Sequence, residues 1–178
     1  ANGTLLSSLP STTDNELMAF MVMRPRTTSA SNARFLTLMN SSQNSDSNTA
    51  NGIIPFMKNG SATSIQQYYN NAAGRSITGA IDDNWATYSS RMSSTATERL
   101  LKNSTPDNYG AHFSPSYIVN QMYLGGSRST AAGANYANMD VAEVILYDRA
   151  FSCTEIQQIE NYLEAKYNFS YSDKNPCP

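Results

Sequence analysis

Seven successive apolar residues, Leu17 to Met23, are closed by Arg24-Pro25-Arg26. A run of that length ended by a breaker suits a strand buried on both sides better than a helix. Further strand-like segments follow at Ala33–Met39, Gly52–Lys58, Ser64–Asn70, Trp85–Met92, Thr97–Asn103, Tyr117–Leu124 and Asp140–Tyr147. Residues Ala86, Tyr88, Ser90 and Met92 share one face of the Trp85–Met92 segment. Pro55 cannot donate to a ladder, so Gly52–Lys58 must be an edge strand or carry a bulge. Asn59-Gly60 is a strong turn signal, and 40–51 reads as a long polar surface loop. Eight or nine strands at these intervals predict an all-β sandwich.

Only the end is helical. Ser152-Cys153-Thr154-Glu155 is a capping box, with Phe151 and Ile156 placed as a hydrophobic staple. Ile156, Ile159, Leu163 and Tyr167 fall on one helical face, and Asn168 suits the left-handed cap. The chain is therefore expected to be two antiparallel sheets with one short C-terminal helix over Ser152–Tyr167.

Composition excludes some functions. Net charge is -2 and no basic run occurs, so counterion-release binding to nucleic acid is not expected. No apolar stretch approaches the ~20 residues that span a bilayer. Ser, Thr and Asn supply 58 of the 178 residues, whereas charged residues make up 15%. Such a surface, with two cysteines, suits an extracellular or cell-surface protein. The chain starts at Ala1 without a leader-like segment, which reads as a processed or excised piece. Cys153 and Cys177 enclose 23 residues. The helix is roughly 22 Å long, and the tail after it can extend roughly 30 Å, enough to run back and bridge. That disulfide would contribute roughly 3.5 kcal/mol in the chain-entropy model. The alternative is two free buried thiols.

The segment Asn138–Asn168, with N-M-D-V-A-E-V-I-L-Y-D-R-A before the helix and Y-L-E-A-K-Y at its end, resembles a known family. It is similar to the last strand and closing helix of concanavalin A-like, laminin-G-type jelly-roll domains. Met122-Tyr123-Leu124-Gly125-Gly126 and Leu17–Pro25 resemble the family's preceding strand and early core strand. The resemblance spans nearly the whole chain and implies one jelly-roll domain over residues 1–178, with 169–178 as a tail. Two departures fall in loops. Met139 replaces the usual Gly, and Lys102-Asn103-Ser104-Thr105-Pro106 stands where the family often has a tight Asn-Gly turn.

The resemblance also raises catalysis and calcium. Jelly-roll glycosidases carry Glu-x-Asp-x-x-Glu on one strand, but here Asn138 stands at the nucleophile position, and an amide cannot form a glycosyl ester. Asp140 and Glu143 differ by an odd number and so are expected on opposite faces. His112, the only histidine, has no nucleophile elbow to serve. Calcium is the usual cofactor of this superfamily, and Asp82-Asp83-Asn84 is the best oxygen cluster for it, ahead of Asp107-Asn108 and Asp46.

A sugar needs an aromatic platform with amide or carboxylate partners beside it. Tyr68–Asn71, Asp82–Trp85, Asp107–Tyr109 and Asn135–Asn138 have that mix, although Trp85 by itself reads first as a core anchor. The first two flank one turn and could converge on a rim. The expected ligand residues are therefore Tyr69, Asn71, Asp82, Asp83 and Asn84, with Asp82 and Asp83 as the calcium candidates. Five Asn-x-Ser/Thr triplets, at Asn2, Asn40, Asn59, Asn103 and Asn168, match what an Asn- and Ser-rich chain yields by chance. The leading expectation is a non-catalytic, lectin-like module of an adhesive surface protein, binding glycans or polysaccharide. The alternatives are an interaction module of a pilus or phage tail without sugar specificity and, behind it, a glycoside hydrolase.

Overall fold

A computed structural model describes residues 5–14, 16–42, 52–69, 72–93, 98–110, 117–126, 135–149 and 151–171. Eleven strands and one helix follow in order: β1 (Leu5–Asp14), β2 (Glu16–Pro25), β3 (Arg34–Met39), β4 (Gly52–Lys58), β5 (Ile65–Tyr69), β6 (Ala72–Ile77), β7 (Ala86–Ser93), β8 (Glu98–Lys102), β9 (Thr105–Gly110), β10 (Tyr117–Leu124), β11 (Met139–Tyr147) and α1 (Cys153–Tyr167). They form a six-stranded sheet, β1-β10-β3-β4-β5-β6, and a five-stranded sheet, β11-β2-β7-β8-β9. Every strand pairing in both sheets is antiparallel. The architecture is a jelly-roll β-sandwich.

The apolar run in β2 explains the layering. Leu17, Ala19, Met21 and Met23 belong to the core between the sheets, with Phe35, Phe56 and Tyr88. Met18, Phe20 and Val22 face the other way, into a second cluster with Leu101, Phe151, Ile156 and Leu163. Period-two alternation thus sends one set of side chains to the sandwich and the other beneath α1. Strand β7 obeys the same rule with different chemistry. Ala86, Tyr88 and Met92 enter the main core, while Thr87, Ser89 and Arg91 are buried on the helix side.

The polar residues of that face are matched by α1 and its tail. Ser89 and Ser104 donate to the Glu160 carboxylate at 2.8 and 2.6 Å, Arg91 to the Phe151 carbonyl, and Tyr171 to Thr87 Oγ1. The capping box at Ser152 and Glu155 is formed, and Asn168 takes the left-handed cap with φ 55. Pro55 sits inside the sheet, not at its edge, and β4 has register irregularities against both neighbours. Of the two expectations for Pro55, the bulge is the one realised.

Strands β1, β6 and β9 go beyond those expected from the sequence, and all three are edge strands. The Lys102–Thr105 departure also has an explanation. Lys102 pairs with Thr105, and Asn103 and Ser104 have φ 51 and 61, the positive values of a two-residue hairpin turn. Ser104 replaces the usual Gly at the second position, and its hydroxyl reaches Glu160.

Candidate functional site: an aromatic pocket beside the helix end

Alternate strands end and begin at one rim, which carries the loops at 26–33, 59–64 and 78–85 together with 135–138. Asp82, Asp83 and Asn84 lie there, exposed. Asp83, at φ 61, accepts from the Thr27 backbone N–H at 3.1 Å and the Thr27 hydroxyl at 2.8 Å. Those two bonds hold its carboxyl below the usual range. Asp82 forms an ion pair with Lys102 at 2.9 Å and accepts from the Asn84 N–H. Partial burial raises its carboxyl, but the Lys102 and Asn84 bonds and the Lys102 charge outweigh that and leave it lowered.

The two expected ligand loops do not converge. Ile81 N–H donates to Thr63 O at 2.8 Å, which places the Asp82–Asn84 loop at the Ile65 end of β5. Tyr69 is at the other end of that strand, about 13 Å away by strand rise. It is 5% exposed and packs in the main core, so it offers no platform. The reason is topological: β5 and β6 form a hairpin, so the turn after Tyr69 and the loop after Ile77 must lie at opposite ends. Asn71 lies outside the described residues, as do Asp46, His112 and Cys177. Asp107, Asn108 and Tyr109 fall in β9, whose side chains are not described.

Calcium does not fit the Asp82–Asp83 pair. A dication needs oxygens converging on one point. Asp82 instead faces the Lys102 ammonium, and Asp83 faces donors from Thr27. No group of three or more His, Cys, Asp or Glu is poised for a metal among the described residues.

Trp85 corrects a second expectation. It is 39% exposed, set just before β7 on the outer side of the five-stranded sheet. With Ala142, Tyr167 and Phe169 it lines a cavity of about 350 Å³. Asn168 ends α1 in the left-handed conformation, and the chain beyond it stacks Tyr167 on Phe169 at 5.9 Å and Phe169 on Tyr171 at 6.3 Å. The helix covers part of the outer face, and the pocket opens beside its C-terminal end. The sequence does hold a signal for it, in aromatics at alternate positions 167, 169 and 171 beyond a helix cap.

Charged groups flank the pocket on two sides. The Arg24 guanidinium lies 5.5 Å from the Trp85 ring centroid, and Arg24 and Arg26 share Asp140 at 2.7 and 2.6 Å. Those arginine bonds hold the Asp140 carboxyl below its usual range. On the other side Glu143 accepts from Lys166 at 3.0 Å and from the Tyr167 hydroxyl at 3.0 Å. Asp140 and Glu143 lie on the same face, not on opposite ones. Register shifts between Val141 and Glu143, so Asp140 opposes Arg24 and Glu143 opposes Val22. Ala142 is the extra residue of a bulge, and one inserted residue reverses the parity of the strand. Asn138 is tied into the loop through Ser29, Thr28 and Arg26.

No family model matches the chain, and no curated protein matches it in sequence. Solved structures do match it. The CBM40 module of a Ruminococcus gnavus IT-sialidase, bound to α2,3-sialyllactose, superposes with a TM-score of 0.62 at 12% identity, covering 83% of each chain. Domains LG4-5 of the mouse laminin α1 chain give 0.59 at 12%, over 83% of this chain and 40% of that one. The binding domain of botulinum neurotoxin DC in complex with SialylT gives 0.52 at 13%, over 90% and 42%. The fold is that of the lectin-like jelly rolls. At these identities the likeness establishes the fold alone, and this chain spans less than half of the laminin and toxin chains.

Proposed function

We propose that this lectin-like jelly roll is a non-catalytic carbohydrate-binding module that holds its glycan in the Trp85–Tyr167–Phe169 pocket. The observation that carries the reading is the exposed Trp85 ring, on the wall of a cavity of about 350 Å³ lined by two more aromatics. Aromatic faces cover the apolar C–H face of a sugar, and charged groups at the rim bond its hydroxyls. Arg24 and Arg26 share a single carboxylate, Asp140, which favours sugars bearing an acidic group. Sialylated glycans are the first probes, because the ligand named for the CBM40 comparator belongs to that class.

Against catalysis stand the groups themselves. Asp140 is held ionised by two arginines and so cannot act as a general acid at neutral pH, and Glu143 is occupied by Lys166 and Tyr167. The reading takes residues 1–178 as one domain of a larger extracellular or cell-surface adhesive protein. Its tail is tied back by a Cys153–Cys177 bridge, in keeping with Cys153 not being a free thiol.

A glycan array followed by titration of the intrinsic fluorescence tests the site, since Trp85 is the only tryptophan. A hit that quenches or shifts Trp85 emission supports the pocket. An array without hits favours an appendage module with no sugar specificity. Intact mass two hydrogens below the reduced value supports the bridge, and two alkylatable thiols in the natively secreted protein refute it.

A further inference from the structure

The loops at the rim are braced by ammonium groups, in the region where resemblance suggests a calcium ion. Lys58, the last residue of β4, is 6% exposed. Its Nζ donates to the carbonyl oxygens of Thr27 at 3.2 Å and Ser29 at 2.8 Å, both in the loop between β2 and β3. Lys102, the last residue of β8, donates to the Ala80 carbonyl at 3.2 Å and to Asp82 Oδ2 at 2.9 Å, both in the loop between β6 and β7. Asp83 joins the two loops through Thr27. Each lysine therefore reaches from the end of a sheet strand into a different loop, and the aspartate bolts the loops together.

Carbonyl and carboxylate oxygens gathered at loop ends are the ligands that a hard cation uses. Here each cluster already has a positive charge at hydrogen-bond distance. An ammonium is a compact charge with three donors, so it can satisfy two or three such oxygens from one direction. A dication entering either cluster would have to expel that lysine. The buried Lys58 would then be left without partners for its charge, a state that proteins avoid.

We propose that Lys58 and Lys102 are this chain's fixed substitutes for a bound calcium ion, so that the rim is ordered without divalent metal. The inference stands on the rim alone and is independent of whether the pocket binds a glycan.

Two measurements on the full chain test it, neither using a glycan. First, protein stripped with EDTA is titrated with CaCl₂ alone by calorimetry and melted in millimolar EDTA and in millimolar CaCl₂. No heat of binding and an unchanged melting temperature are expected. A calcium-dependent rise of several degrees overturns the proposal. Second, Lys58→Met and Lys102→Met are compared with wild type by amide exchange. Amides of 26–33 and 80–84 are expected to exchange about tenfold faster, with those of the sheet centres unchanged. Unchanged loop exchange in both variants overturns it. If Lys58→Met does not fold, Lys102→Met carries this arm, because that side chain is 19% exposed and its loss leaves the core intact.

Discussion

The outer face of the five-stranded sheet has two halves built on the same strands. Under α1, Met18, Phe20, Leu101, Phe151, Ile156 and Leu163 close into a cluster. Past Tyr167 the same strands present Arg24, Asp140 and Trp85, and the floor stays open. What separates them is the place where the helix ends. Asn168 takes the left-handed cap, the chain departs, and Trp85 beside it stays exposed, while Tyr171 of the tail covers Thr87. Burial makes the covered half a source of stability, and exposure makes the open half available for a ligand.

That division predicts opposite phenotypes on one face. Leu163→Ala, at a side chain with 0% exposure, should cost about 2–5 kcal/mol. Urea unfolding measures it, and the affinity of the folded fraction for any ligand should be unchanged. Trp85→Ala should do the reverse, losing about tenfold or more in affinity while the urea midpoint hardly moves. If Trp85→Ala destabilises as much as Leu163→Ala, the two halves are one core and the comparison fails.

Glu160 sharpens the boundary, because it is a carboxylate on the covered side with 1% exposure. Burial raises its carboxyl, with the Ser104 and Ser89 bonds opposing. A carboxyl whose native value lies above its unfolded one contributes most below the unfolded value, near 4.3. That contribution is lost as pH rises through the raised native value. Glu160→Gln should therefore gain stability relative to wild type between the unfolded value and neutrality. Parallel urea midpoints for the two proteins across that window would show that the native carboxyl titrates as it does in the unfolded chain, and would overturn the raised value. On the open side Asp140 has the opposite sign. Its native value is depressed, so its contribution holds above the unfolded value, near 3.9, and fades as pH falls through the native one.

The smallest effect is expected at Ser104→Gly. Glycine at φ 61 relieves about 1 kcal/mol of left-handed strain, while the lost hydroxyl removes a bond to Glu160 worth a similar amount. The net change in melting temperature should be slight. In the Glu160→Gln background, which leaves only a neutral acceptor, the glycine should come out ahead.

Residues near in sequence fixed much of this protein without help from the rest of the chain. Leu17 to Met23 announced a strand covered on both faces, and Ser152, Glu155 and Asn168 marked both ends of the helix. Those signals are local, carried by side-chain periodicity and caps within a few residues. Strands β1, β6 and β9 left no such trace. An edge strand has one neighbour and one open side, so it needs no two-sided apolar run, and Pro10 and Pro106 can sit within it. Strand β1 is held by β10, far along the chain, and β6 and β9 by the strands just before them. Paired backbones likewise decided the bulge at Ala142, which put Asp140 and Glu143 on one face. The pocket was a tertiary matter as well. Trp85, Ala142, Tyr167 and Phe169 come from three separate parts of the chain, and only the packing of α1 across the sheet brings them around one cavity.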